Sequence, residues 1–333
     1  MTKYSELIDS FSNKRVMIVG DVMVDSYLWG VVDRISPEAP VPVVDVNYRE
    51  ERLGGAANVA VNIKALGAHP ILCSVIGSEM KGNVFLKILE DEGLPAEGIY
   101  RSKDRITTTK FRIIGNNSQL LRVDEEDTHD LQAGDERSFL EICAKLIDRE
   151  NIDVLIIQDY NKGILTPVVI TELIAKAREK DIPVVVDPKK KNFDLYSNVT
   201  LFKPNLKELK EGLKIEFREP EEDVLNDTIN LLRDQINVDI AMITLSEHGI
   251  YISAGNEAGT ESHLLPAHVR NIADVSGAGD TVVSVASLCL AANASLKTIA
   301  AVSNLAGGIV CEKVGVVPID RKRFAEELNK LGE

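Results

Sequence analysis

The residues best suited to chemistry fall into three clusters of glycine and carboxylate. In Asp274-Val275-Ser276-Gly277-Ala278-Gly279-Asp280-Thr281, two glycines let backbone approach a ligand closely, and the loop opens an apolar helix, Thr281 to Ala292. Free N–H groups at a helix start bind anions. A carboxylate there, Asp280, is odd beside a phosphate unless it accepts a proton during reaction, although the helix start also favours its charged form. An ordinary turn with a helix-start acid fits the same spacing equally well. The loop is neither a P-loop, lacking Gly-Lys-Ser/Thr, nor a dinucleotide fingerprint, lacking a third glycine. Leu53-Gly54-Gly55-Ala56-Ala57-Asn58 is a second pair of glycines opening a helix, a weak signal because such turns are common. The third cluster, Gly20-Asp21-Val22-Met23-Val24-Asp25, puts carboxylates at the carboxyl end of the first strand, where open α/β sheets bind ligands. A solvated loop suits that spacing as well.

These clusters need a scaffold, and the chain alternates strands with helices. Strands are expected at Val16 to Val19, Ile71 to Ile76, Val154 to Gln158, Val184 to Val186, Leu201-Phe202 and Ile240 to Leu245. Helices are expected at Asn58 to Leu66, Val84 to Glu92, Arg137 to Arg149, Pro167 to Lys180 and Val224 to Gln235. Strands separated by helices of this length mean βαβ units and a mostly parallel sheet. Two small-residue-rich, tightly packed helices fill Gly279 to Glu312. Two segments break the rhythm: Val41 to Val46 is extended around Pro40 and Pro42, and Thr107 to Asp124 reads as a hairpin around Gly115-Asn116-Asn117-Ser118. Thr108, Lys110 and Arg112 share one face of its first arm, and Arg122 and Asp124 one face of its second. Thr109, Phe111 and Ile113 take the opposite face. These segments form a small accessory sheet.

Composition narrows the partners. With 44% apolar and 27% charged residues, the 333-residue chain is that of a soluble globular protein able to bury a core unaided, and disorder is excluded. The cysteines, Cys73, Cys143, Cys289 and Cys311, lie far apart in apolar runs, which indicates reduced core thiols rather than a disulfide framework or a zinc site. The N-terminus lacks an apolar signal core, and the longest apolar stretch, Val282 to Ala292, is too short to span a bilayer. A cytoplasmic location is expected. A net charge of −14 disfavours nucleic acid and anionic membranes. An anionic ligand must therefore meet positive groups concentrated locally.

Taken jointly, the motifs resemble the ribokinase-like carbohydrate kinases, the PfkB family. The resemblance rests on the Gly20-Asp21 strand end, the Gly54-Gly55 helix start, Pro204-Asn205-x-x-Glu208, and Gly277-Ala278-Gly279-Asp280, and it covers nearly the whole chain. Arg34-Ile35-Ser36-Pro37-Glu38-Ala39-Pro40-Val41-Pro42-Val43, Glu51 to Asn58 and Asp159-Tyr160-Asn161-Lys162-Gly163 resemble one subgroup. That subgroup is the bacterial D-glycero-D-manno-heptose 7-phosphate kinases of lipopolysaccharide-precursor synthesis. Many of its members carry a C-terminal nucleotidyltransferase domain; here a single kinase domain over residues 1–333, without that second domain, is expected. Val275-Ser276 stands where threonine is common before the Gly-Ala-Gly-Asp motif, a mild departure.

The resemblance implies an α/β ribokinase-like fold, a mostly parallel central sheet flanked by helices, with a small β-sheet lid from residues about 22–50 and 105–125. It implies transfer from ATP to the anomeric hydroxyl of a heptose 7-phosphate. Asp280 would act as base, while N–H groups from Ser276, Gly277, Ala278 and Gly279 stabilise the transferring phosphoryl group. Asn205 and Glu208 would reach Mg2+ through water. Asp25, with Asp21, would accept hydroxyl hydrogen bonds, and Gly54, Gly55 and Asn58 would give close contacts to the sugar. Thr244, Ser246 and Gly249 resemble the nucleotide-side loop, and Asn304, Ala306 and Gly307 the wall near adenine; tight helix packing accounts for the latter three as well.

A substrate that already carries a phosphate needs a cationic pocket, for which Lys110, Arg112, Arg122, Lys162 and Lys189 are candidates, although basic residues on an exposed hairpin are commonly just solvated. The rival readings are another PfkB-type sugar or sugar-phosphate kinase and a non-catalytic sugar-binding regulator. An intact Asp280 argues against the regulator, since a binder has no need of a base. A two- or three-stranded accessory sheet is marginal alone, and its apolar face (Phe111, Ile113, Val43) needs cover. A homodimer joined through the lid is expected.

Overall fold

The computed structural model describes residues 3–116, 118–256 and 259–331; Asn117 of the expected hairpin turn lies outside them. Its strands are β1 (Arg15–Gly20), β2 (Val22–Ile35), β3 (Pro42–Gly55), β4 (His69–Gly77), β5 (Gly98–Ser102), β6 (Thr109–Gly115) and β7 (Ser118–Glu125). They continue with β8 (Val154–Gln158), β9 (Val184–Asp187), β10 (Val199–Phe202), β11 (Val238–Thr244), β12 (Ile250–Asn256) and β13 (Gly259–Leu265).

Among the described residues, nine strands form one sheet in the order β13-β12-β11-β10-β9-β8-β1-β4-β5. It is parallel except at the edge made by β12 and β13. Helices cover both faces, so β1 is buried along almost its whole length. Alternation then sorts its side chains. Val16 and Ile18 enter the core built with the helices Ala56–Ala65, Ala278–Ala291 and Leu296–Val310, while Met17 and Val19 enter the other, with Phe139, Val169 and Leu232. Small residues let the first set of helices approach: a Cβ on Gly307 would lie 2.8 Å from Val282 Cγ2. The four cysteines are free and buried, as expected.

β2, β3, β6 and β7 form a second sheet in the order β3-β2-β6-β7, with β2 and β6 parallel and the other pairs antiparallel. This lid has four strands where two or three were expected. Val22–Ile35 and Pro42–Gly55 are each 14-residue strands that start or end in the main domain and run out of it. The faces of the hairpin are as expected, Lys110 opposite Asp124 and Arg112 opposite Arg122. β5, β12 and β13 were not anticipated; β13, Gly-Thr-Glu-Ser-His-Leu-Leu, is a largely exposed edge strand without an alternating pattern. Among the described residues, no helix is long and apolar enough to cross a membrane.

Candidate active site

Parallel register brings the carboxyl ends of β1, β8 and β9 level, with Gly20 beside Gln158 and Gln158 beside Asp187. The start of the Ala278–Ala291 helix sits over this edge and delivers Asp280 to it. The Asp280 carboxylate is buried and receives three hydrogen bonds. Asn58 Nδ2 donates to Oδ2 at 2.7 Å, Tyr160 Oη to Oδ1 at 2.6 Å, and Gln158 Nε2 to Oδ1 at 3.2 Å. Burial pushes its pKa up to about 7, against the lowering effect of the Asn58 and Tyr160 hydrogen bonds. Tyr160 is held well above the usual phenol range by burial and by Asp280, so it stays protonated and donates. Gln158 Nε2 also donates to Asp187 Oδ2 at 3.2 Å, and the buried Lys203 Nζ lies 3.1 Å from the same oxygen. A carboxylate titrating near neutrality beside a second, cation-paired carboxylate is suited to taking a proton from a hydroxyl.

The anion loop precedes this helix. Gly277 adopts a left-handed conformation with φ of 79°, and a Cβ there would meet Asn58 Nδ2 at 3.0 Å. Two of the loop amides are engaged internally: Ser276 N–H donates to Asp274 Oδ1 and Ala278 N–H to the Val275 carbonyl. Among the described residues, the amides of Gly277 and Gly279 have no acceptor, so the expected anion site narrows to these two. Asp274 is fixed in turn by the Gly315 amide at 2.8 Å.

On the lid side, Asp25 is buried at the root of β2 and forms an ion pair with Arg112 of β6. A Cβ on Gly54 would fall 2.3 Å from Asp25 Oδ2, and Gly55 adopts φ of 62° over the Asp21 carbonyl, so the glycine pair is required by close approach. The Arg112 and Arg52 guanidinium groups both lie against the Tyr27 ring, at 5.3 and 4.9 Å. The cations expected to meet a distal phosphate on this side have carboxylate partners. Lys110 Nζ lies 3.1 Å from Asp124 and 3.4 Å from Glu126, Lys162 Nζ 2.7 Å from Glu126, and Arg122 Nε 2.9 Å from Asp124.

Asp280 lines a cavity of about 750 Å3 together with Asp187, Lys189, Lys203, Asn205, Glu208, Thr244, Ser246, Gly249, Gly279, Asn304 and Gly307 among others. The cavity gathers the nucleotide-side residues expected from the sequence. Asn205 and Glu208 form a capping box on the helix Leu206–Leu213: Asn205 Oδ1 accepts from the Glu208 amide at 2.8 Å, and Glu208 Oε2 from the Asn205 amide at 2.9 Å. Ser246 and Gly249 both have positive φ, which turns the chain at the cavity rim. Asn304 donates to the Pro266 carbonyl at 2.8 Å, whereas Ala306 is a fully buried packing residue.

Two of the expected residues are placed apart from the lid face. Asp21 is fully buried, its oxygens accept from the amides of Tyr160 (2.8 Å), Lys162 (3.1 Å) and Ile164 (3.2 Å), and burial raises its pKa to about 6. It anchors the 160–164 loop. Lys189, expected with the lid cations, instead lines the cavity with Asn205 and Glu208, paired with Glu208 and lying 5.6 Å from the Tyr160 ring centre. Gln158, Asp187 and Lys203 were missed as site residues. The one available signal is polarity at the ends of apolar strands, with Asp187 and Lys203 each directly before a proline, Pro188 and Pro204.

This architecture is a ribokinase-like fold. The chain aligns with phosphofructokinase-2 from Escherichia coli in complex with fructose-6-phosphate at a TM-score of 0.76 and 20% identity, covering 95% of this chain and 99% of that one. It aligns with Arabidopsis thaliana ribokinase complexed with ribose and ATP at a TM-score of 0.72 and 14% identity, covering 95% and 99%. Similarity in sequence is closer to the bifunctional protein HldE of Citrifermentans bemidjiense, 38% identical over 314 residues, 94% of this chain and 63% of that protein. The HldE protein of Campylobacter fetus is also 38% identical, over 304 residues, 90% of this chain and 63% of its own. The chain thus spans slightly under two thirds of the length of these relatives. Residues 13–322 match the model of the pfkB family carbohydrate kinases. The chain belongs to this family.

Proposed function

We propose that the protein transfers the γ-phosphoryl group of ATP to the anomeric hydroxyl of D-glycero-D-manno-heptose 7-phosphate, forming the 1,7-bisphosphate and ADP. The observation that carries the reaction type is the buried Asp280 carboxylate between the lid's Asp25–Arg112 pair and the nucleotide-sized cavity. Asp280 takes the hydroxyl proton, the oxygen attacks the γ-phosphorus, and the bond to the ADP oxygen breaks. Gly277 and Gly279 amides face the charge that accumulates on the transferring group. Among the described residues, no cluster of three or more His, Cys, Asp or Glu can cage a metal. Asn205 and Glu208 at the cavity wall instead suit an ion that keeps its waters and shares the nucleotide's phosphates. Magnesium, when bound, neutralises phosphate charge; Lys189 and Lys203 line the same cavity and add to that effect.

The heptose phosphate is supported by the resemblance of residues 34–43, 51–58 and 159–163 to that kinase subgroup and by the similarity to HldE proteins. Lys110, Arg112 and Arg122 on the inner lid face are the groups that would meet the distal phosphate, exchanging carboxylate partners for it. The lid also leaves apolar side chains exposed, among them Ile35, Val41, Tyr48, Leu121 and Val123. Their cover is a second copy of the chain, giving a homodimer through the lid.

An ADP-release assay over heptose 7-phosphate, unphosphorylated heptose, fructose 6-phosphate and ribose tests the reading. Preference for heptose 7-phosphate is expected, with Asp280→Asn lowering kcat at least ~10²-fold while ATP binding persists. Turnover by that variant within a few-fold of wild type overturns the base assignment. Equal use of the unphosphorylated sugar overturns the substrate, and no turnover on any sugar favours a binding protein.

A further inference from the structure

Asp280 is gripped by three donors, and they are unequal. Gln158 Nε2 divides itself between Asp280 and Asp187 at 3.2 Å each, a weak hold on either. Asn58 engages only Oδ2. The short contact on Oδ1 is the Tyr160 hydroxyl at 2.6 Å. Tyr160 is itself held at two points: its amide donates to the buried Asp21, and its ring lies under the Lys189 ammonium, which pairs with Glu208 on the cavity wall. Asp21, Tyr160 and Asp280 thus form a connected series from the root of the central sheet to the reacting carboxylate.

We infer that Tyr160 is a positioning residue, whose hydroxyl donates to Oδ1, favours the ionised form of the Asp280 carboxylate and aims it at the acceptor hydroxyl. The inference rests on the reading of Asp280 as the base. A carboxylate buried without strong donors protonates, and a base that can rotate presents the wrong lone pair. Tyr160 opposes both, because a phenol that burial keeps protonated donates to the charged form of its partner. The other charged groups around the pair are Asp187 and Lys203 from β9 and the segment after β10, Asp25 from β2, and Lys189 with Glu208 over the Tyr160 ring. Asp187 opposes ionisation of Asp280 and Lys203 favours it, which leaves the hydrogen-bond donors to hold the balance.

The test is a 13C-carboxyl NMR titration of the free protein, with the Asp280 resonance assigned by its absence from Asp280→Asn. This readout needs no substrate. Tyr160→Phe is expected to raise the Asp280 midpoint by about one pH unit, the size expected for losing a hydrogen bond to a charged group. Site-specific 3-fluorotyrosine at position 160, which keeps the ring and donates more strongly, is expected to lower it. In turnover, the Tyr160→Phe deficit in kcat/KM should shrink from about fivefold at pH 7 to under twofold at pH 9, as follows from a one-unit shift about a midpoint near 7. KM for MgATP should stay within about twofold. Should Tyr160→Phe fold poorly, the fluorotyrosine shift decides the matter alone. An unmoved midpoint in both forms, or a deficit equal at every pH, overturns the role of Tyr160. Activity retained by Asp280→Asn overturns the base assignment, whatever Tyr160 does, so the two failures are distinct.

Discussion

Asn58 and Asp280, 222 positions apart in the chain, meet through a hydrogen bond of 2.7 Å from Nδ2 to Oδ2. The direction of that bond is set by a relay of amides. Ile319 N–H donates to Asn62 Oδ1 at 3.0 Å, and Asn62 Nδ2 donates to Asn58 Oδ1 at 3.3 Å, which leaves Asn58 Nδ2 for Asp280. The glycine-led helix thus serves the base as well as the sugar side expected of it.

Asn58→Leu should therefore damage two things together. It removes a donor from Asp280 and leaves Asn62 Nδ2 with the Asn58 backbone carbonyl alone, at 2.9 Å, costing about 1 kcal/mol of stability and about tenfold in kcat. Urea unfolding and steady-state turnover measure both; a variant as stable and as active as wild type would show that the relay has no function.

Burial of Asp280 also carries a sign in stability. Its folded pKa, about 7, lies above that of an ordinary aspartate, so the folded state holds a proton that the unfolded state releases, and stability falls as pH rises from about 4 to about 7. Asp280→Asn removes that penalty. Its stability relative to wild type should be greater at pH 8 than at pH 5, by up to about 2–3 kcal/mol. Denaturant melts at the two pH values check this, and a difference independent of pH would place the folded pKa near its ordinary value.

The cations should divide by side. Among Lys110→Ala, Arg112→Ala and Arg122→Ala, at least one should raise KM for the sugar phosphate about tenfold or more while leaving KM for ATP unchanged. Lys189→Ala should do the reverse, because its ammonium lies in the nucleotide cavity beside Glu208. If Lys189→Ala instead raises KM for the sugar phosphate alone, the division drawn at Asp280 is misplaced.

The lid should hold two chains together. Val123 is exposed on β7 opposite Phe111, and a glutamate there puts charge on the face that needs cover. Light scattering at micromolar concentration should show a dimer for wild type and a monomer for Val123→Glu. A monomeric wild type removes the lid interface.

Much of the fold was legible because its signals are local. Val154–Gln158 and the helix after Pro167 were bounded within a residue by apolar runs and by proline at a helix start. Glycines marked the anion loop and the Asp25 contact, since backbone that must approach a carboxylate or turn through positive φ admits little else. The long lid strands were less legible: β3 loses its apolar alternation where it leaves the main domain and its side chains meet solvent.

The sequence by itself pointed to the carbohydrate kinase family, because the Gly-Ala-Gly-Asp loop, the paired glycines and the Pro-Asn-x-x-Glu segment occur together in one chain. Tertiary structure decided which groups surround Asp280 and which carboxylate each cation meets. Lys189 and Lys110 are alike as residues; the parallel register of β8, β9 and β10 brings one to Glu208, and the antiparallel pairing of β6 with β7 brings the other to Asp124. Asp21 and Asp25 lie four residues apart on one strand end, yet Asp21 is enclosed by the 160–164 loop and Asp25 meets Arg112. Those outcomes depend on pairing between distant segments, where burial and register, rather than residue type, set what a charged side chain can reach.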